Sequence, residues 1–263
     1  MDLELKGKRA LVAASTVGIG KAIAEAFARE GMVVCVNGRR AAPLEATRSE
    51  IAEKIGATVV GVPADVSTAS GAAQLIERGV AEMGGLDVLV TNAGGPIAGG
   101  FFDLTDDDWE SAFQTNLMST VRMIRAAVPH LRKSSQGRII NLQSVGAKQP
   151  VPYVTLTNCI RAGVFGLNKE LADVLGKDNI TVNTILSGPV PTERLDYLLT
   201  YRAEKLGLPL EEVKKRALEA VPLGRFGTGD DIAAIFVFLA SRPAGWISGT
   251  VTQVDGGRTR AAL

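Results

Sequence analysis

The stretch Arg9-Ala10-Leu11-Val12-Ala13-Ala14-Ser15-Thr16-Val17-Gly18-Ile19-Gly20 decides the fold. Arg9 to Ala14 is a short apolar run that reads as a strand, and the small residues after it turn directly into a segment where Ile23, Ala26, Phe27 and Glu30 follow helical spacing. Such a helix packs its Ile/Phe stripe on a sheet and presents free backbone N–H groups and the positive end of its dipole at Ser15, Gly18, Ile19 and Gly20, which suits a pyrophosphate. A structural turn that needs glycine for helix–strand contact would look much the same, so this segment alone leaves both readings open.

Working outward, further apolar runs at Val33 to Asn37, Thr58 to Pro63, Val88 to Thr91, Arg138 to Leu142, Thr181 to Leu186 and Thr250 to Val254 read as strands, most of them separated by helical segments. Seven strands in such an alternation predict an α/β fold with a doubly wound parallel sheet and helices on both faces. Ligands of such sheets bind at the carboxyl edge, which the first helix faces. Thr105 to Arg132 and Val154 to Leu175 read as long helices. The stretch from Thr192 to Val221, after the loop Gly188-Pro189-Val190-Pro191, is expected to form a helical lid.

With 263 residues, 46% of them apolar, the chain is long enough for one large core, and residues 1–263 are expected to form one domain. A net charge of +1 without a block of like charges argues against a nucleic-acid or anionic-membrane surface. The longest apolar run, Ile232 to Ala240, is too short to span a bilayer and the N-terminus lacks a leader's apolar core, so a cytoplasmic protein is expected. Cys35 and Cys159 read as reduced thiols, and His130, the only histidine, makes a zinc site or a serine–histidine triad untenable.

Several separated motifs together resemble the short-chain dehydrogenase/reductase family, from about residue 5 to 258. The glycine-rich turn falls on Ala13 to Gly20, with Ala13 and Ala14 where the family has threonine and its first glycine. Asp65-Val66 resembles the pair that contacts adenine, and Asn92-Ala93-Gly94 the turn lining the cofactor. Asn116 matches the structural and proton-relay asparagine. Ser187-Gly188-Pro189 with Thr192 resembles the loop whose threonine holds the nicotinamide carboxamide, and Gly224-Arg225-Phe226-Gly227 and Val254-Asp255-Gly256-Gly257 complete the pattern. The resemblance implies a Rossmann-type sheet of seven strands, a nicotinamide cofactor and a small carbonyl or alcohol substrate. It is that of a divergent member, similar to 3-oxoacyl-acyl-carrier-protein reductase-like proteins.

The divergence sits at the reacting end. Ser144 matches the family serine that hydrogen-bonds the substrate carbonyl, and it also suits a turn cap. At the family's tyrosine and lysine positions stand Thr157 and Arg161, with the register fixed by Ala162-Gly163-Val164-Phe165-Gly166-Leu167 beyond them. A cation about 4 Å away can supply the roughly 4 kcal/mol that brings a phenol from about 10 to about 7. An aliphatic hydroxyl near 15 would need about 11 kcal/mol, which excludes Thr157 as direct general acid. Thr157 can still donate to a carbonyl beside Ser144, and Arg161 can bind ribose or stabilise negative charge. Either an oxidoreductase takes its proton from water, Tyr153 or Lys148, or the chain is a non-catalytic nucleotide- or metabolite-binding relative; a lyase or isomerase on the same fold is a further possibility.

The second strand ends Val36-Asn37-Gly38-Arg39-Arg40, with arginine rather than carboxylate where the ribose lies, so NADP(H) is expected over NAD(H). Val17, where many NADP-preferring relatives are basic, and the extra methyl of Ala14 weigh against it. The resemblance also implies a homotetramer, paired through the two long helices and the C-terminal strand region. Leu195, Tyr197, Leu198 and Tyr201 of the lid suggest an apolar or amphipathic carbonyl compound, or packing of the lid itself.

Overall fold

The computed structural model describes residues 1–261. Seven parallel strands form one sheet in the order β3-β2-β1-β4-β5-β6-β7: β1 (Arg9–Val12), β2 (Val33–Gly38), β3 (Val59–Pro63), β4 (Val88–Thr91), β5 (Gly137–Ser144), β6 (Ile180–Ser187) and β7 (Val251–Val254). The order reverses at β1, which pairs with β2 on one side and β4 on the other, and a crevice opens there beyond the carboxyl ends of the strands. This is the doubly wound architecture expected from the alternation.

Alternate strand residues feed two cores. Val12, Val36, Val90, Ile140 and Ile185 pack with Ile23 and Phe27 of α1 (Gly18–Arg29), Ile51 of α2 (Ala41–Ile55) and Phe236 of α10 (Gly229–Ala240). On the opposite face Leu11, Cys35, Leu89, Ile139 and Val182 pack with Leu75 and Ile76 of α3 (Ala69–Met83), Met123 of α5 (Ser119–Leu131) and Leu175 of α7 (Gly163–Gly176). The Ile/Phe stripe thus faces the sheet, as its spacing requires. The remaining helices are α4 (Asp106–Phe113), α6 (Thr155–Ile160), α8 (Glu193–Leu206) and α9 (Leu210–Glu219).

Three expected elements are cut differently. The first strand stops at Val12 rather than Ala14, because Ala14 adopts φ 46°, a left-handed conformation that leaves the strand, and gives its N–H to Asn37 Oδ1 at 3.0 Å. The helix expected over 105–132 is α4 and α5 joined by a π-turn over Gln114–Met118, starting behind a capping box in which Thr105 and Asp108 satisfy each other's backbone. The helix expected over 154–175 breaks at Arg161–Ala162 into α6 and α7. The lid segment holds α8 and α9, which close a small core of their own on Leu199, Ala203 and Val213. Among the described residues, no helix is long and apolar enough to cross a membrane, and no His/Cys/Asp/Glu group is arranged to hold a metal ion.

Candidate active site

A cavity of about 880 Å³ runs along the carboxyl edge of the sheet. At one end the turn after β1 is held open by side chains that the sequence motif does not advertise. Asn37, buried at the end of β2, accepts from Ala14 N–H and donates Nδ2 to the carbonyls of Val62 and Ala64, tying three strand ends together. Asn92 Nδ2 donates to the Ala14 carbonyl at 3.0 Å. Gly20 fits under this lattice only because it lacks a side chain: a Cβ there would collide with Ala14 O and lie 2.9 Å from Asn92 Nδ2. Val17 at the start of α1 gives no side-chain cap, and among the described residues no side chain accepts from the first N–H groups of this helix.

Ala14, Thr16 to Gly20, Asn37 to Arg39, Ala64 to Ser67, Asn92 to Gly95 and Ser187 to Thr192 follow one another along the wall. Gly18, Ile19, Gly20, Arg39, Asp65, Val66, Asn92, Ala93, Gly94, Gly188 and Thr192 therefore stand together. Ser15 does not join them: its hydroxyl is fully buried, donating to Val12 O and accepting from Asn37 N–H, which makes it a brace of the turn. Arg40 lies at the exposed start of α2, outside the cavity lining, while Arg39 is part of it. Thr16 and Asn37 went unmarked in the sequence, although an asparagine closing an apolar strand was a visible signal. The run of uncapped helix N-terminus, Arg39 and the Asp65-Val66 turn fits a dinucleotide, with its phosphates on α1.

At the other end Ser144, Thr157 and Arg161 line the same wall. Ser144 Oγ accepts from Gly146 N–H at 3.2 Å, so it caps the turn and faces the cavity at once. A Cβ built on Gly146 would be 3.6 Å from both Ser144 Oγ and Thr157 Cγ2, which shows how closely the two side chains converge. Arg161 ends α6 and turns inward, donating Nη1 to Gln143 Oε1 at 3.0 Å and to Leu142 O at 3.5 Å. Burial, with Arg194 opposite, pushes its pKa down to about 10, so the guanidinium still carries its charge at neutral pH. Gln143 is a buried polar residue directly before Ser144 at the carboxyl end of β5, and that is the signal that would have found it.

Asn116 does not reach the cavity. Its Nδ2 donates to Gly94 O at 2.8 Å, bracing the Asn92–Gly94 turn from the π-turn, and its Oδ1 is buried without a partner. Thr115 lines the wall instead. Neither Tyr153 nor Lys148 belongs to the lining. Tyr153, at φ 63°, packs edge-on against Tyr201 with ring centroids 6.2 Å apart.

The lid also turns a different face inward than its aromatic residues suggested. Arg194, Leu198 and Arg202, each one turn of α8 apart, line the cavity with Leu195 and Leu199. Tyr197 is outside the lining, its hydroxyl accepting from Ala98 N–H at 3.1 Å, and Tyr201 packs with Tyr153.

A family model described as enoyl-(acyl carrier protein) reductase matches residues 13–259. An uncharacterized oxidoreductase of Bacillus subtilis (strain 168), YvrD, is 36% identical over 265 residues, covering 99% of this chain and 100% of the relative. The 3-oxoacyl-[acyl-carrier-protein] reductase FabG of Aquifex aeolicus (strain VF5) is 33% identical over 261 residues, covering 98% and 99%. Among solved structures, L-sorbose reductase from Gluconobacter frateurii complexed with NADPH and L-sorbose has a TM-score of 0.92 at 32% identity, covering 99% of this chain and 100% of that one. With the seven-stranded sheet, the glycine-rich turn and the cavity in one chain, this protein belongs to the short-chain dehydrogenase/reductase family.

Proposed function

We propose that the chain is an NADP(H)-dependent oxidoreductase interconverting a small carbonyl compound and its alcohol, with proton delivery that differs from the family's. The observation that carries this reading is the continuity of one cavity from the α1 turn and Arg39 to Ser144, Thr157 and Arg161. Gly18 to Gly20, Asp65-Val66, Asn92 to Gly94 and Thr192 would hold the dinucleotide, with Arg39 toward the 2′-phosphate; the NADPH-bound L-sorbose reductase supports that preference. The bound nicotinamide supplies the hydride.

The chain's own contribution is orientation and charge. Ser144 Oγ and Thr157 Oγ1 donate hydrogen bonds to the carbonyl oxygen, and the Arg161 cation stabilises negative charge as it develops there. Gln143 and the Leu142 carbonyl fix that cation on the cavity wall. Because Tyr153 and Lys148 lie off the lining, the proton comes from water admitted to the cavity. The whole chain acts as one cytoplasmic dinucleotide-binding unit with α8 and α9 as its lid. A homotetramer is supported by Phe113 on α4 and Val174 on α7, 36% and 46% exposed on the helices expected to pair, and by the fully exposed Trp246 beside the C-terminal strand.

The test is steady oxidation of NADPH against a broad carbonyl panel, and reduction of NADP+ against the matching alcohols. Turnover dependent on Ser144 and faster with NADPH than NADH is the expected result. Cofactor binding without turnover on any member would support the non-catalytic binding relative instead. Light scattering at micromolar concentration is expected to return the tetramer mass.

A further inference from the structure

The substrate end of the cavity holds an excess of cations. Arg161, Arg194, Arg202 and Arg258 all line it, and among the described residues none lies within ion-pair distance of a carboxylate. Its acidic lining residues are otherwise engaged or distant: Asp108 caps α4 through Thr105, Asp65 accepts from Ser67 at the far end, and Glu193 is exposed at the first turn of α8. Asp255, the acidic group nearest Arg258, gives its oxygens to the backbone N–H groups of Gly257 and Thr259.

Arg202 and Arg258 are the pair without another occupation. Arg202 projects from the third turn of α8; its Nη2 donates to Pro152 O at 3.2 Å, and its Nε is buried with no partner. Arg258 follows β7, the edge strand, whereas the glycine-rich turn follows β1, four strands away in the sheet. The Arg258 charge is close enough to disfavour that of Arg202, Asp255 favours that of Arg258, and both guanidiniums are partly stripped of water. Arg138 is the control for this reasoning. It too is buried without a carboxylate and with an unpartnered Nε, yet it donates both Nη1 and Nη2, to Gly137 O and to Ser241 O at the carboxyl end of α10, where a helix dipole welcomes a cation. Among the described residues, Arg202 has only the Pro152 carbonyl as a side-chain hydrogen-bond partner, and Arg258 has the Asp255 charge nearby but no hydrogen bond from its guanidinium.

Two adjacent half-buried guanidiniums with open donors form a fork suited to a planar or tetrahedral oxyanion. We propose that the substrate carries an anionic group, a carboxylate or a phosphate ester, held between Arg202 and Arg258 while its carbonyl lies against Ser144 and Thr157. This rests on reading the cavity as a carbonyl–alcohol site. Of the apolar and amphipathic substrates suggested by the lid residues, it favours the amphipathic, in which Leu195, Leu198 and Leu199 cover the chain between the two polar ends.

The experiment compares matched substrates, oxo acids with their methyl esters and a ketose phosphate with its parent ketose, on wild type, Arg202→Gln, Arg258→Gln and the double variant. Melting curves verify folding, and Arg202→Lys serves as a second variant that keeps the charge but not the fork. Wild type is expected to prefer the anion of at least one pair about tenfold in kcat/KM. Each glutamine variant should raise KM for that anion about tenfold, with partial recovery in Arg202→Lys. Preference for the oxo acid or for the ketose phosphate tells the carboxylate from the phosphate. Equal use of anion and neutral partner, unchanged by either variant, overturns the proposal while leaving the oxidoreductase reading intact. A weakened NADPH dissociation constant in place of a KM effect assigns the arginines to cofactor phosphates and also overturns it. If nothing turns over, calorimetry with succinate and inorganic phosphate separates the readings: heat lost in the double variant supports the anion site without catalysis, and no heat in wild type overturns it.

Discussion

The two edges of the sheet treat arginine in opposite ways. At the amino edge, Arg9 at the start of β1 meets Asp87 ahead of β4 in a two-pronged ion pair, Nε to Oδ2 at 2.8 Å and Nη2 to Oδ1 at 3.0 Å, and the Arg9 backbone N–H and Ser134 add a third and a fourth donor. At the carboxyl edge, Arg161, Arg194, Arg202 and Arg258 converge on a cavity with no such partner among the described residues. The amino edge satisfies its charges within the chain and contributes stability. The carboxyl edge leaves donors open, which costs stability and prepares the wall for a ligand.

Breaking the closed edge should have the largest effect. Burial alone would raise the Asp87 pKa, but hydrogen bonds from Arg9 and Ser134 and the Arg9 charge outweigh it and hold the carboxyl below its usual range. Asp87→Asn is expected to cost about 2–3 kcal/mol of stability at neutral pH. Because the folded pKa is depressed, that contribution is present above the unfolded value near 4 and lost as pH falls through the folded one. Denaturant titrations should therefore show wild type and variant converging below about pH 4. A constant gap down to acid would mean the Asp87 charge is not what stabilises this edge.

A smaller effect is expected from rebuilding the open edge. Thr157→Tyr with Arg161→Lys supplies a phenol and a neighbouring ammonium beside Ser144, and should raise turnover on activated ketones about tenfold, worth about 1.4 kcal/mol of barrier. Thr157→Tyr alone should gain less, since Arg161 stays bound to Gln143 and its guanidinium is broader. Loss of activity in the double variant, with NADPH binding retained, would show that Thr157, Arg161 and Gln143 form a working set of their own. The smallest effect sharpens the contrast itself. Arg258→Met, which removes an unpaired half-buried cation, should raise stability by about 1 kcal/mol where Arg9→Met lowers it. Equal losses from both, measured by thermal melting, would erase the distinction between the edges.

The sequence displayed what depends on periodicity and on local chain chemistry. Strands β2 to β7 were legible to within two residues at each end because apolar side chains recur through each of them and β2, β4, β5 and β6 are buried almost throughout, while β3 and β7 are only partly buried. The glycine-rich turn and the Thr157–Arg161 register were legible because both are local spacings. What escaped depends on contacts between distant segments. Ser15 looked like a ligand-facing hydroxyl until Asn37, 22 residues on, claimed it. Asn116 looked catalytic by motif, yet its amide spans to Gly94. Of the lid residues, Leu195 and Leu198 line the cavity as expected, but Tyr197 and Tyr201 stand on the neighbouring face of α8, and the Arg194–Leu198–Arg202 stripe takes the place expected for them.

The π-turn over Gln114–Met118 makes one rod carry two independent phases. Each residue advances a helix by about 100°, so the surplus residue in this turn offsets everything before it from everything after it. Upstream, Asp108, Ser111 and Ala112 line the cavity, joined by Thr115 in the turn itself, and α4 packs on α6. Downstream, Thr120, Met123, Ile124 and Ala127 stay in the core, and α5 packs on α3 and β4. Deleting one residue between 114 and 118 is therefore expected to act like a frameshift in space, re-phasing the cavity wall and the Asn116 brace on Gly94 against the α5 side chains held in the core.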